Sequence, residues 1–138
     1  MNVLRRYKLL LVEDEKFEVG LVELATQDWD IELRVASNGK EALEILESGY
    51  IPDGIILDLN MPIMSGIEFL QELRKGTILE SQQIRILVLS SSDQENEANA
   101  TYALSAAIFC KKPPGIERFL ELFDAIRVVL KNAVIPRK

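Results

Sequence analysis

The stretch GIILDLNMP, residues 54–62, decides the fold. Its first four residues, Gly54-Ile55-Ile56-Leu57, form a continuous apolar run with no polar residue to face water. A run this short, apolar on both sides, reads as a strand covered on both faces, which is the position of a strand in a parallel sheet. The run ends abruptly in Asp58, followed by Leu59, Asn60, Met61 and Pro62. A carboxylate therefore stands where the chain has just left the core.

Working outward, four further strand-like runs accompany this one. KLLLV (8–12) reads as a buried strand, and IELRVA (31–36) alternates as a half-exposed strand does. IRILVL (84–89) and AAIFC (106–110) complete the set. Helical spacing lies between them. Phe17, Leu21 and Leu24 predict an apolar stripe on the first helix. Asn38-Gly39 reads as a turn, and Ala42, Leu43, Ile45 and Leu46 mark a second helix ending near Gly49. Ile67, Leu70 and Leu73 carry a third, stopped near Gly76. A polar helix is expected from Asp93 to Leu104, with Ser92 and Glu95 at capping-box spacing. Ile116 to Lys131 forms a long final helix. Strands alternating with helical crossovers imply a parallel sheet with helices on both faces, whose working site lies beyond the carboxyl ends of the strands.

A chain of 138 residues fits a single domain with a real core, spanning 1–138 with its core at about 8–131 and a short tail at 132–138. No apolar stretch approaches the roughly 20 residues of a membrane helix, and acids follow the N-terminal apolar run where a signal peptide would carry a cleavage site. The single cysteine, Cys110, excludes an internal disulfide and suits a reducing cytoplasm. A net charge of −6 without a basic stripe disfavours nucleic-acid binding. The absence of histidine removes the commonest general base and zinc ligand.

The fold would gather four separated segments on one edge: Glu13, Asp14 and Glu15 after the first strand, Asp58 after the third, Ser90, Ser91 and Ser92 after the fourth, and Lys111 and Lys112 with Pro113 after the fifth. Each alone has an ordinary reading: a solvated turn, an Asx-turn, helix caps, a surface lysine. Together those readings conflict. Carboxylates brought within ~4 Å repel by about 4 kcal/mol per pair at an effective dielectric of ~20. A divalent cation relieves that repulsion, and hard oxygen donors without His or Cys point to Mg²⁺. Lysine and serine opposite suit an anion beside the metal. A carboxylate nucleophile in such a site can accept a phosphoryl group.

Four motifs, LLLVEDE (9–15), IILDLNMPIMSG (55–66), ILVLSSS (86–92) and FCKKP (109–113), resemble in order and spacing those of the receiver domains of two-component response regulators, over about Lys8 to Lys131. The tail and the segment SSSDQENEANATYAL resemble the stand-alone receivers paired with bacterial phytochromes. The resemblance implies a flavodoxin-like, doubly wound (βα)5 fold with strand order 2-1-3-4-5. It implies that Asp58 is the phosphoacceptor, supplied by a sensor histidine kinase or phosphotransfer protein. Asp14, Glu13 and Asp58, with the backbone carbonyl of Asn60, would hold Mg²⁺ or Mn²⁺. Lys112 would pair with the phosphoryl group, often across a cis bond to Pro113. Ser90 would be the switch hydroxyl and Phe109 the switch aromatic. Met61, Pro62 and Gly66 would shape the loop presenting Asp58. Such a protein catalyses only its own phosphoryl transfer and dephosphorylation. Pro114 after Pro113 departs from the usual pattern and would stiffen the approach to the final helix.

Phosphorylation, adding about −1.5 to −2 charges, is expected to draw Ser90 inward and let Phe109 follow, reshaping the face of the fourth helix, fifth strand and final helix. No effector segment or basic recognition helix follows, so a stand-alone signal to a downstream protein partner is expected, without direct DNA contact. On the final helix, Phe119, Phe123, Ile126 and Leu130 form a core stripe. Leu122, Ala125 and Val129, with Val134 and Ile135, form a second one that suggests a homodimer or partner contact.

Two rival activities fit less well. A haloacid-dehalogenase-type phosphatase needs a second Asp where Asn60 stands, and a flavodoxin-like FMN binder needs a phosphate loop where VEDEK places carboxylates. A non-phosphorylated structural adaptor with the same fold is the alternative.

Overall fold

The computed structural model describes residues 6–76, 84–91, 99 and 108–133, with side chains described as far as residue 130. The polar helix expected at Asp93–Leu104, its Ser92/Glu95 capping box, Ala106-Ala107 and the tail residues Val134 and Ile135 lie outside the described residues. The described residues form five strands: β1 (Tyr7–Val12), β2 (Ile31–Ala36), β3 (Gly54–Leu57), β4 (Arg85–Ser90) and β5 (Ile108–Lys111). They alternate with α1 (Lys16–Ala25), α2 (Gly39–Glu47) and α3 (Gly66–Lys75), and the final helix spans Ile116–Ala133. All pairings are parallel, in the order β2-β1-β3-β4-β5. This is the doubly wound flavodoxin-like sheet expected from the sequence.

The side-chain period of two sorts each strand between two cores. Leu10, Val12, Ile55, Leu57, Ile86 and Val88 pack with α2 and α3 on one face. Leu9, Leu11, Ile56, Leu87 and Leu89 pack with α1 and the final helix on the other. The residues of both central sets are thus removed from water, which explains why GIIL carries no polar residue.

Register fixes the site. Val12 is the partner of Leu57, and Leu57 of Val88. The next residues out, Glu13 and Asp58, therefore emerge side by side. The ladder continues just past the strand ends: the Asp58 N–H donates to the Val12 carbonyl at 3.1 Å and the Glu13 N–H to Ala36 at 2.9 Å. The Lys112 N–H donates to the Ser90 carbonyl at 2.7 Å.

Four sequence expectations need correction. On α1, Phe17 and Leu24 are exposed, at 65% and 45%. The inward residues are Val22, with Val19, Leu21 and Ala25 partly buried. Leu21 of the expected stripe does face the core, but the inward arc then runs through Glu18, Val22 and Ala25 rather than through Phe17 and Leu24, and both spacings satisfy helical periodicity. Asn38-Gly39 is not a free-standing turn: Asn38 caps α2, its side chain accepting from the Glu41 N–H at 2.9 Å, and Gly39 is the first helical residue. Lys111 and Ser90 close β5 and β4 rather than following them. On the final helix, Phe119, Phe123, Ile126 and Leu130 are buried as expected. Leu122 packs against the same core, so the outward strip consists of Ala125, Val128 and Val129 instead.

Candidate functional site

Glu13 and Asp58 are 5% and 6% exposed, whereas Asp14 is open to solvent. One carboxylate oxygen from each of the three lies within 4.8 Å of the other two. The Lys112 ammonium, itself largely buried, sits among carboxylates: 3.4 Å from Glu13 Oε1, 3.6 Å from Asp58 Oδ1 and 2.8 Å from Glu18 Oε1. Two backbone groups also donate. The Glu15 N–H donates to Glu13 Oε2 at 3.2 Å, and the Asn60 N–H donates to the Asp58 carboxylate.

The electrostatics follow from this crowding. Burial, then the Asp58 charge, push the Glu13 carboxyl from 4.5 up to about 7, against the pull of Lys112. Burial likewise raises Asp58, opposed first by Lys112 and then by the Asn60 N–H. For Lys112, burial acts downward, but Glu18, Asp58 and Glu13 outweigh it and the net direction is upward. One ammonium does not balance the surrounding acids. The donor set consists of hard oxygens from Glu13, Asp14 and Asp58, and it fits a divalent cation such as Mg²⁺ or Mn²⁺.

The loop after Asp58 is shaped by close backbone approach. A Cβ on Gly66 would lie 2.6 Å from the Asp58 carbonyl oxygen and 2.7 Å from Leu59 Cα, so only glycine fits there. The Gly66 N–H donates to the Leu59 carbonyl at 2.9 Å. Ser65 and Glu68 then close a capping box on α3, a pattern legible in the sequence but not singled out from it. Ile63, in the same loop, has φ 70 and is 75% exposed.

The predicted residues thus divide. Glu13, Asp14, Asp58 and Lys112 converge. Asn60 is exposed and touches the cluster through its N–H. Ser90 is fully buried at the end of β4 and joined to Lys112 through the backbone. Phe109 pairs in register with Val88 and is partly buried against the α2–α3 core. Lys111 is exposed at the rim, and the lysine in the cluster is Lys112. Peptide bonds among the described residues are trans, so Lys112–Pro113 lacks the cis bond expected from the resemblance. Glu18 was missed. Its signal was its phase, since a carboxylate four residues before Val22 shares the inward face of α1.

Comparison with known proteins agrees with this geometry. The family model of the response regulator receiver domain matches residues 9–124. Response regulator Rcp1 of Synechocystis is 31% identical over 137 residues, covering 93% of this chain and 92% of that protein. A protein-glutamate methylesterase/protein-glutamine glutaminase of Treponema denticola is 40% identical over 116 residues, 80% of this chain, which spans only 29% of that relative's length. Among solved structures, the phosphorylated cyanobacterial phytochrome response regulator RcpA superposes with a TM-score of 0.87 at 27% identity, covering 96% of this chain and 100% of that one. The Mn²⁺-bound form of Rcp1 gives 0.81 at 26% identity, covering 95% and 99%. With the family model spanning most of its length and the strand-end acids converging, the chain belongs to the response regulator receiver domain family.

Proposed function

We propose that this receiver domain accepts a phosphoryl group on Asp58 from the phospho-histidine of a sensor kinase or phosphotransfer protein. The observation that carries this reading is the convergence of Glu13, Asp14, Asp58 and Lys112 on one sheet edge. An Asp58 carboxylate oxygen attacks phosphorus as the phosphorus–nitrogen bond breaks. The electron pair leaves on the imidazole, which takes up a proton. Lys112 places a positive charge beside the oxygens that gain negative charge. The Asn60 N–H orients the nucleophilic carboxylate, and the β1–β3 ladder holds it rigid. Glu13, Asp14 and Asp58, with the Asn60 carbonyl, would hold Mg²⁺ or Mn²⁺, which when bound neutralises charge on the transferring group. The Mn²⁺-bound form of the relative Rcp1 supports that assignment.

Ser90 and Phe109 are the proposed switch pair. Both sit at the β4–β5 edge whose backbone is tied to Lys112. Movement of Ser90 toward the phosphoryl group would alter the packing of Phe109, and the change would be read by a downstream protein rather than by nucleic acid. The protein would act on no other substrate. No described helix is long and apolar enough to cross a membrane.

Intact mass after incubation with acetyl phosphate and Mg²⁺ tests the reading. One phosphoryl adduct is expected, absent without the metal and absent in Asp58→Asn. No adduct, together with no binding of beryllofluoride, would leave the adaptor alternative.

A further inference from the structure

The shortest ion pair of Lys112 is with Glu18, not with Glu13 or with Asp58, the proposed phosphoacceptor. Glu18 lies in the first turn of α1, and its side chain is 27% exposed. Its carboxylate is not among the three that converge closely enough to share a metal ion. A cation held by Glu13, Asp14 and Asp58 would therefore draw on two of the three partners of Lys112 and leave the third untouched.

We propose that Glu18 is a positioning residue for Lys112, holding its ammonium on the α1 side of the site in competition with a phosphoryl-type anion at Asp58. This deepens, and rests on, the phosphoacceptor reading. An anion arriving at Asp58 needs the ammonium to turn toward it. Glu18, at 2.8 Å, is the contact that resists that turn, because Asp58 itself stands 3.6 Å away. The pair lies at the margin of the site, where solvent weakens it without abolishing it. Its role is therefore to tune how firmly Lys112 engages the anion, and so how strongly the phosphorylated state is favoured.

Beryllofluoride in the presence of saturating Mg²⁺ is the probe, with binding followed by fluorine NMR on the full chain. Glu18→Gln removes the charge and keeps the shape. It is expected to bind beryllofluoride about fivefold tighter, the change that accompanies loss of one partly screened ion pair. Its affinity for Mg²⁺ alone should not rise, because the released ammonium remains beside Glu13 and Asp58. Glu18→Asp, which keeps the charge, should behave more like wild type. In Lys112→Met the Gln substitution should have no effect, since its partner is gone. In the metal-free protein, the nitrogen-15 signal of the Lys112 ammonium should shift in Glu18→Gln. Unchanged or weaker beryllofluoride binding in Glu18→Gln, or an effect that persists without Lys112, would overturn the proposal while wild type still binds the probe. If wild type shows no Mg²⁺-dependent binding that Asp58→Asn abolishes, the phosphoacceptor reading fails and the proposal falls with it.

Discussion

Glu13→Gln tests whether the acid cluster is held under electrostatic stress when no cation is bound. The Glu13 carboxyl is pushed from 4.5 to about 7 by burial and by Asp58. Between those values the folded protein binds more protons than the unfolded chain. Stability from this group is therefore fully present below pH 4.5 and is lost as pH rises through about 7. At ~1.4 kcal/mol per tenfold change, the loss is about 3 kcal/mol at most, a large part of a typical folding free energy. Glutamine carries no charge at any pH, so the variant lacks this loss. Urea denaturation in EDTA, followed through the fluorescence of the buried Trp29, measures it directly. Wild type should weaken from pH 5 to pH 8 more steeply than Glu13→Gln, and the variant should be the more stable protein at pH 8. Some slope should persist in the variant, because burial raises Asp58 in the same direction. Saturating Mg²⁺ should reverse the order at pH 8, since a ligand that binds only the folded state stabilises it and the variant has lost a donor. Parallel pH profiles for the two proteins in EDTA would refute the reasoning.

Gly66→Ala should cost about 2 kcal/mol or more and weaken Mg²⁺ binding together, because its Cβ meets the Asp58 carbonyl oxygen at 2.6 Å. Calorimetric titration showing wild-type metal affinity would contradict the tie between α3 and the Asp58 loop. Ile63→Asn should stabilise the fold by about 0.5–1 kcal/mol, since a β-branched residue at φ 70 is strained and its side chain is 75% exposed. A lower denaturation midpoint would show that the isoleucine makes a contact worth more than its strain. The outward strip of Ala125, Val128 and Val129 predicts self-association through the final helix. Light scattering is expected to give a dimer that Val128→Lys reduces to monomer, and a monomeric wild type in both phosphorylation states would remove that expectation.

The sheet was legible because its signal is redundant. The central apolar runs end abruptly on polar residues (Glu13 after KLLLV, Asp58 after GIIL, Ser90 after IRILVL), and a parallel strand buried on both faces admits almost no polar residue. The site was legible for a related reason. Once the strands are parallel and in register, the residue after each strand must emerge on the same edge, so Glu13 and Asp58 meet whatever the helices do. Helix phase is less redundant. On α1 the series Phe17-Leu21-Leu24 and Val19-Val22 each look amphipathic, and only docking against the final helix distinguishes them.

That ambiguity also hid Glu18. A stripe drawn through Phe17 puts Glu18 on the outer face, where a glutamate in the first turn needs no explanation beyond the helix dipole. The structure turns α1 so that Glu18 follows Val22 inward and reaches across to β5, whose chain returns Lys112 to the same edge. No short-range pattern links residues so far apart in sequence. The pairing arises from strand order: β1 and β5 are separated by β3 and β4, and α1 covers the face on which their ends approach. Residues at strand ends follow from the sheet alone, whereas a helix residue that closes over the site depends on the helix's rotation. Under the role proposed for Glu18, it is such a helix-borne partner, and not the strand-end acids, that would set how firmly Lys112 of this chain engages an anion at Asp58.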